Sequence, residues 1–263
     1  MKKILALTLA LCMVLALCAC GKTEAPAVED VEEKAEEVVA EVEELIEEVE
    51  AEVPAEEEIE EASEVMPYEV FAAADLDSAV VVEGYVQAKE TWWDNVATFF
   101  IQSEDGAYLI YECSISEEDY NDKLVEGAKV KVSGFKSEWS GEVEVADGTV
   151  EFLDGTYLAE ATDVTELFGT DELINEMNKL IAAKGVELVN DVPQDWDKSE
   201  DLYLDTKVND ADVVFVVRRY MTNADEVYEA LKEFKAGDVL DLQCFLYWYE
   251  GPQARIVDVA AAE

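Results

Sequence analysis

The 263-residue chain has no histidine. That absence removes Ser-His-Asp and Cys-His nucleophile systems and every His-ligated metal site. Basic residues are scarce, 18 Lys and Arg against 64 Asp and Glu, for a formal charge of −46. The acidity is spread along the chain: residues 66–263 alone carry 44 acids and 14 bases. A surface of this sign repels phosphate backbones and anionic headgroups, keeps the chain soluble, and favours cationic or neutral ligands. Cysteine is also sparse, with five in all and no CxxC. Cys113 and Cys244 lie in apolar strand-like stretches, YLIYECS and DLQCFLYW, and read as two separate buried thiols, each a small hydrophobe. No cofactor and no metal site follows from any spacing. Carboxylate chemistry such as glycoside hydrolysis stays formally open, but so many acids single out no pair.

What is present begins with MKKILALTLALCMVLALCACG. Lys2 and Lys3 precede an apolar run from Ile4 to Leu17, too short for a comfortable span of roughly 20 residues. Leu17-Cys18-Ala19-Cys20-Gly21 then resembles the lipobox of a bacterial lipoprotein signal, with Cys18 in place of the commoner Ala, Ser or Thr. The resemblance implies a signal peptide over 1–19 and a lipidated Cys20. It places the mature protein outside the cytoplasmic membrane, anchored by diacylglycerol on the Cys20 sulfur. Two acyl chains give stable anchoring where one gives only marginal binding.

Residues 22–64 are nearly all Glu, Val and Ala, without glycine or aromatics. Val31, Ala35, Val38, Val42, Leu45 and Val49 recur at coiled-coil spacing. Glu at almost every flanking position, with little Lys to pair, opposes self-association across that seam. The span 20–65 therefore reads as an acidic stalk, helical or disordered, in preference to a dimerising coiled coil over the same residues.

From Met66 the texture becomes mainly β. Strands are predicted over Ala79–Gln87, Ala97–Gln102 and Ala107–Glu112, the last two flanking the turn Ser103-Glu104-Asp105-Gly106. Gly84 suggests a bend in the first strand. Ser116 is placed to cap a helix within 116–125. Ala128–Phe135 alternates by period two, and Glu142–Val145 and Val150–Leu153 follow as two short strands. At an offset of 110 the chain repeats itself: Gly127 with Gly237, Val130 with Leu240, Val132 with Leu242, Phe135 with Phe245, Trp139 with Tyr249, Gly141 with Gly251. Leu180–Leu188, Asp201–Lys207, Val213–Val217 and a helix over Asn223–Phe234, capped by Asn223, complete the second copy. Thr170–Asn178 reads as a helix leading into it, as Tyr68–Ala73 does in the first.

Three strands, a short helix, then further strands: this order resembles an OB-fold, a small five-stranded barrel. The resemblance implies two tandem OB-like barrels, over 66–165 and 166–263, and ligand binding on the face of strands two and three, framed by the loops after strands one and four. Trp92 and Trp93 fall in or near such loops of the first copy, as does Trp139; Trp196, Trp248 and Tyr249 do so in the second. Exposed, they would stack on a sugar face, a base or a partner side chain; buried, they would plug a barrel or join the two. Trp139 and Tyr249, at equivalent positions, suit a shared structural role, whereas Trp92, Trp93 and Trp196 have no repeat-related match.

The expected function is that of a non-catalytic binding protein for a neutral or cationic ligand: a glycan, a peptide or an envelope protein. Single-stranded nucleic acid is the alternative, disfavoured by charge. Lys89, Lys129, Lys131, Lys136, Arg218 and Arg219 are its candidate basic contacts. The Asp191–Asp201 loop is acidic but lacks a glycine-punctuated calcium pattern.

Overall fold

The computed structural model describes residues 64–262. The signal peptide, the Cys20 anchor and nearly all of the stalk lie outside the described residues. A short helix α1 (Tyr68–Ala73) leads into β1 (Ala79–Lys89), β2 (Val96–Gln102), β3 (Ala107–Ser114), helix α2 (Glu117–Asp122), β4 (Ala128–Trp139) and β5 (Glu142–Thr156). These five strands close in the order β1-β2-β3-β5-β4, with β3 and β5 parallel. A two-residue strand β6 (Thr162–Asp163) precedes the second ring. That ring comprises β7 (Leu180–Leu188), β8 (Leu202–Val208), β9 (Ala211–Val217), helix α3 (Ala224–Leu231), β10 (Val239–Phe245) and β11 (Gln253–Ala261). It closes as β7-β8-β9-β11-β10, again with the third and fifth strands parallel. The described residues thus form two OB-like barrels of the same strand order, each with its helix between the third and fourth strands.

Local chemistry explains most element boundaries. Ser116 caps α2 by accepting from Asp119 N at 3.1 Å. In β4, Val130 and Val132 point into the first barrel while Lys129 and Lys131 point out and pair with Glu83 and Glu151. Lys136 is buried instead, and its ammonium donates to the carbonyls of Phe71, Ala72 and Ala74 at 2.7–3.1 Å, closing the C-terminal end of α1 onto the barrel. Cys113 and Cys244 are separate and buried.

Three local expectations need correction. Glu142–Val145 and Val150–Leu153 belong to one strand, β5; Asp147, at φ 52°, forms a bulge opposite Ser133–Phe135 that looked like a break. Asn223 does not cap α3, because its Nδ2 donates to Val257 O at 3.0 Å. The helix expected over Thr170–Asn178 is a 3-10 helix at Asp171–Glu176. Gly84 is also a close approach: a Cβ there would meet the Ile101 side chain at 3.3 Å.

β2 is buried along almost its whole length, on both faces. Phe99 and Ile101 fill the first barrel, while Phe100 faces outward into the core of the second. Ala88 and Leu109 do the same. The barrels are therefore joined by a continuous apolar contact, in which Phe100 stacks on Phe245 at 4.5 Å between ring centroids. A strand that must satisfy two cores has no polar face, which is why ATFFIQ reads as an unbroken apolar run.

Candidate binding groove

The outward face of β2 and β3 is spent on this seam near Phe100 and Leu109, and emerges from it at Thr98 and Tyr111. There β3 carries a bulge: Glu112 takes φ 46°, and its N–H donates to Thr98 Oγ1 at 3.2 Å. The bulge turns Tyr111 and Glu112 outward. Trp93 stands 77% exposed beside them, and Tyr220 of the second barrel completes the wall. Together they border a cavity of about 420 Å³.

A second cavity of about 230 Å³ adjoins it, with Arg218 lining both. It lies on the β8–β9 face of the second barrel, where Tyr203 is 56% exposed. Tyr247 and Tyr249 come from the β10–β11 loop, and Trp139, 63% exposed, comes from the end of β4 in the first barrel. The two cavities meet at Arg218, and residues of both barrels line each of them; we treat the pair as one composite groove.

Its floor is ionic. Glu90 accepts from Arg218 Nε at 3.0 Å and from Arg255 Nη1 at 2.9 Å, while Arg218 Nη1 donates to Asp201 at 2.9 Å. Asp201 also accepts from the Arg219 backbone N–H at 2.9 Å. Arg255 lies 3.7 Å from the Tyr247 ring centroid, and Arg218 and Arg219 lie over Tyr220 at 4.6 and 4.3 Å. The chain contains only three arginines, and all are here. Planar guanidinium serves stacking and forked pairing in one group, which lysine does not. Burial works against the charge of Arg218, but Glu90 and Asp201 hold its pKa well above the ordinary value. Burial also raises Glu144, beside Arg255, to about 7.

The other sequence candidates are packed more deeply. Trp92 borders the 420 Å³ cavity but is half-buried against the first core, and its Nε1 donates to Ile115 O at 3.1 Å. Trp196 packs on Tyr228 in a tilted pair at 5.3 Å and donates to Glu200 O, so it is half-buried against the second core. Trp248 sits in the seam, where a Cβ on Gly141 would meet its ring at 2.8 Å. The residues with repeat-related partners, Trp139 and Tyr249, are exposed in one cavity, and Trp196, which has no such partner, is packed. Sequence reasoning missed Tyr111, Tyr203, Tyr220 and Arg255. The concentration of every arginine at positions 218, 219 and 255 was the available signal.

No protein-family model and no curated protein matches the chain. Solved structures do match. The hypothetical protein ygiW from E. coli is 17% identical over 35% of this chain and 91% of its own, with a TM-score of 0.25. A murine DNA binding protein bound with ds DNA is 11% identical over 70% and 96%, with a TM-score of 0.33. A deletion mutant of the single-stranded DNA binding protein from Thermus aquaticus is 14% identical over 70% and 94%, with a TM-score of 0.25.

Proposed function

We propose that this chain is a non-catalytic binding protein, held outside the cytoplasmic membrane by lipid on Cys20, that takes a neutral or cationic ligand along the composite groove. A glycan suits the groove best. The observation that carries this reading is the set of exposed rings, Trp93, Tyr111, Tyr220, Tyr203, Tyr249 and Trp139, above a floor where Arg218 and Arg255 are already paired with carboxylates. Exposed rings offer flat apolar faces to a sugar, and Gln253 and Asp201 supply polar edges beside them. Single-stranded nucleic acid is the second reading, favoured by the same rings as base-stacking platforms. Against it, a phosphate would have to displace Glu90 or Asp201 from Arg218.

Tryptophan fluorescence of the full chain, titrated with neutral oligosaccharides, basic peptides and single-stranded oligonucleotides, tests the groove. Quenching by oligosaccharide or peptide that is lost in Trp139→Ala supports the reading. Quenching by oligonucleotide alone, weakening steeply with salt, replaces it with the second. Cys20→Ala should release the chain from the membrane fraction; retention would remove the anchor.

A further inference from the structure

β3 contains the stretch Ile110-Tyr111-Glu112-Cys113, and both ends of it are buried in the first core. Strict alternation could send only one of Ile110 and Cys113 inward. The bulge resolves the conflict. Ala97 pairs with Cys113 and Phe99 with Ile110, so Tyr111 and Glu112 together oppose Thr98. Both side chains are thereby delivered to the outer face, and both line the cavity that Trp93 and Tyr220 border. Glu112 is the one that takes the left-handed backbone, at φ 46°. Glycine, and at times Asn or Asp, visits that region routinely; glutamate stays there only where its surroundings hold it.

The carboxylate so presented is uncommitted. Two acids line this cavity, Glu90 and Glu112. Glu90 is engaged by Arg218 and Arg255, and Arg218 is held further by Asp201. Glu112 accepts from the Tyr111 hydroxyl at 3.0 Å and pairs with no cation among the described residues. Arg218 and Arg219 stack on Tyr220, which leaves Trp93 and Tyr111 as the rings open to a further cation. The field there is negative: burial first, then Glu112, Glu144 and Glu90, push the Tyr111 hydroxyl up to about 12. An exposed carboxylate beside two such rings attracts an ammonium through the acid and the ring quadrupoles at once.

We propose that Glu112 is the specificity-determining residue of the groove and that the glycan it selects carries a free amine, with an amino-sugar unit stacked on Trp93 and its ammonium donating to the Glu112 carboxylate. This rests on the groove reading above and narrows it to one ligand class. A sugar fits better than a basic side chain because rings continue past Arg218 into the second cavity, as Tyr203, Tyr249 and Trp139, and offer faces to successive units. The second cavity has the opposite balance of charge, Arg218 and Arg255 against Asp201, so the amine belongs at the Trp93 end.

Calorimetric titration of the full chain with a glucosamine tetrasaccharide and with its fully N-acetylated counterpart tests this, because acetylation removes the positive charge and keeps the sugar. The native chain should bind the free amine tighter by about tenfold, the worth of one charge-assisted hydrogen bond. Glu112→Gln keeps the size and loses the charge; Glu112→Gly also frees the backbone. Each should bind the two sugars alike and melt within about 2 °C of the native chain, because the side chain is exposed. Should either variant fail to fold, the other decides. Glu104→Gln, an exposed acid of the β2–β3 turn outside the groove, should keep the preference. Equal affinity of the native chain for the two sugars overturns the assignment and leaves the groove standing. So does a preference that survives Glu112→Gln, or one that Glu104→Gln also removes, since either marks diffuse attraction to an acidic body. A lysine tetrapeptide bound as tightly as the amino tetrasaccharide, with the same dependence on Glu112, overturns the sugar. Binding of neither sugar sinks the groove reading itself.

Discussion

Glu250 donates its backbone N–H to the carbonyl of Ser140 at 2.8 Å, and these two residues occupy the same position in the two halves of the chain. Both take left-handed backbone, with φ 54° and 52°. The turn after the fourth strand of one barrel thus docks on the corresponding turn of the other. The residues just before them, Trp139 and Tyr249, are delivered to a single cavity.

Trp139→Ala should therefore separate binding from stability. Trp139 has one exposed face and little to pack against, so unfolding free energy should change by no more than about 0.5 kcal/mol. Affinity for an oligosaccharide should fall by about tenfold, the loss of one stacking platform. Trp196→Ala should do the reverse, costing about 2–3 kcal/mol of stability with affinity intact, since its ring packs on Tyr228. Urea unfolding and fluorescence titration of the two variants check both outcomes.

Glu90→Ala should be among the more damaging substitutions on the groove floor. It leaves Arg218 with Asp201 alone and strips Arg255 of its one hydrogen-bonded carboxylate among the described residues. Removing one member of a buried ion pair costs about 3–5 kcal/mol. A fall in the urea midpoint of that size is expected, and a midpoint within error of the native value would refute the ionic floor.

Phe100→Ala should destabilise the second barrel as well as the first. The ring contributes to the second core and stacks on Phe245, so its removal opens a hole at the seam worth about 3–5 kcal/mol. Hydrogen exchange should rise at backbone amides of β10 and β7, although neither belongs to the mutated barrel.

The thiols of Cys113 and Cys244 should resist labelling in the native chain at pH 8. Burial pushes Cys113 up to about 12 and Cys244 well above its ordinary value, leaving almost no thiolate. Addition of denaturant should raise reagent uptake by two equivalents, one from each.

The duplication and the strands were legible because the inward positions repeat. Val130 with Leu240 and Val132 with Leu242 all point into barrels and are essentially unexposed. Ser116 and the turn at Ser103–Gly106 carried local chemistry that no tertiary contact overrode. Asn223 was misread because its side chain is drawn to Val257 O, a partner 34 residues away. β5 looked like two strands because a bulge at Asp147 interrupts the alternation without ending the ladder. The groove was largely illegible for a different reason. Glu90, Arg218 and Arg255 come from two barrels and meet only when these dock, and docking breaks the equivalence of the halves. Phe245 is fully buried against Phe100, while its repeat partner Phe135 is only half-buried.

Synthesis runs from the N-terminus, so the first ring can close before the second has been made. Until the last hundred or so residues arrive, Ala88, Phe100 and Leu109 face water as a greasy patch on an otherwise acidic body. A front half expressed by itself would carry that patch permanently and should stick to its own copies. The back half acts, in effect, as the built-in chaperone of the front.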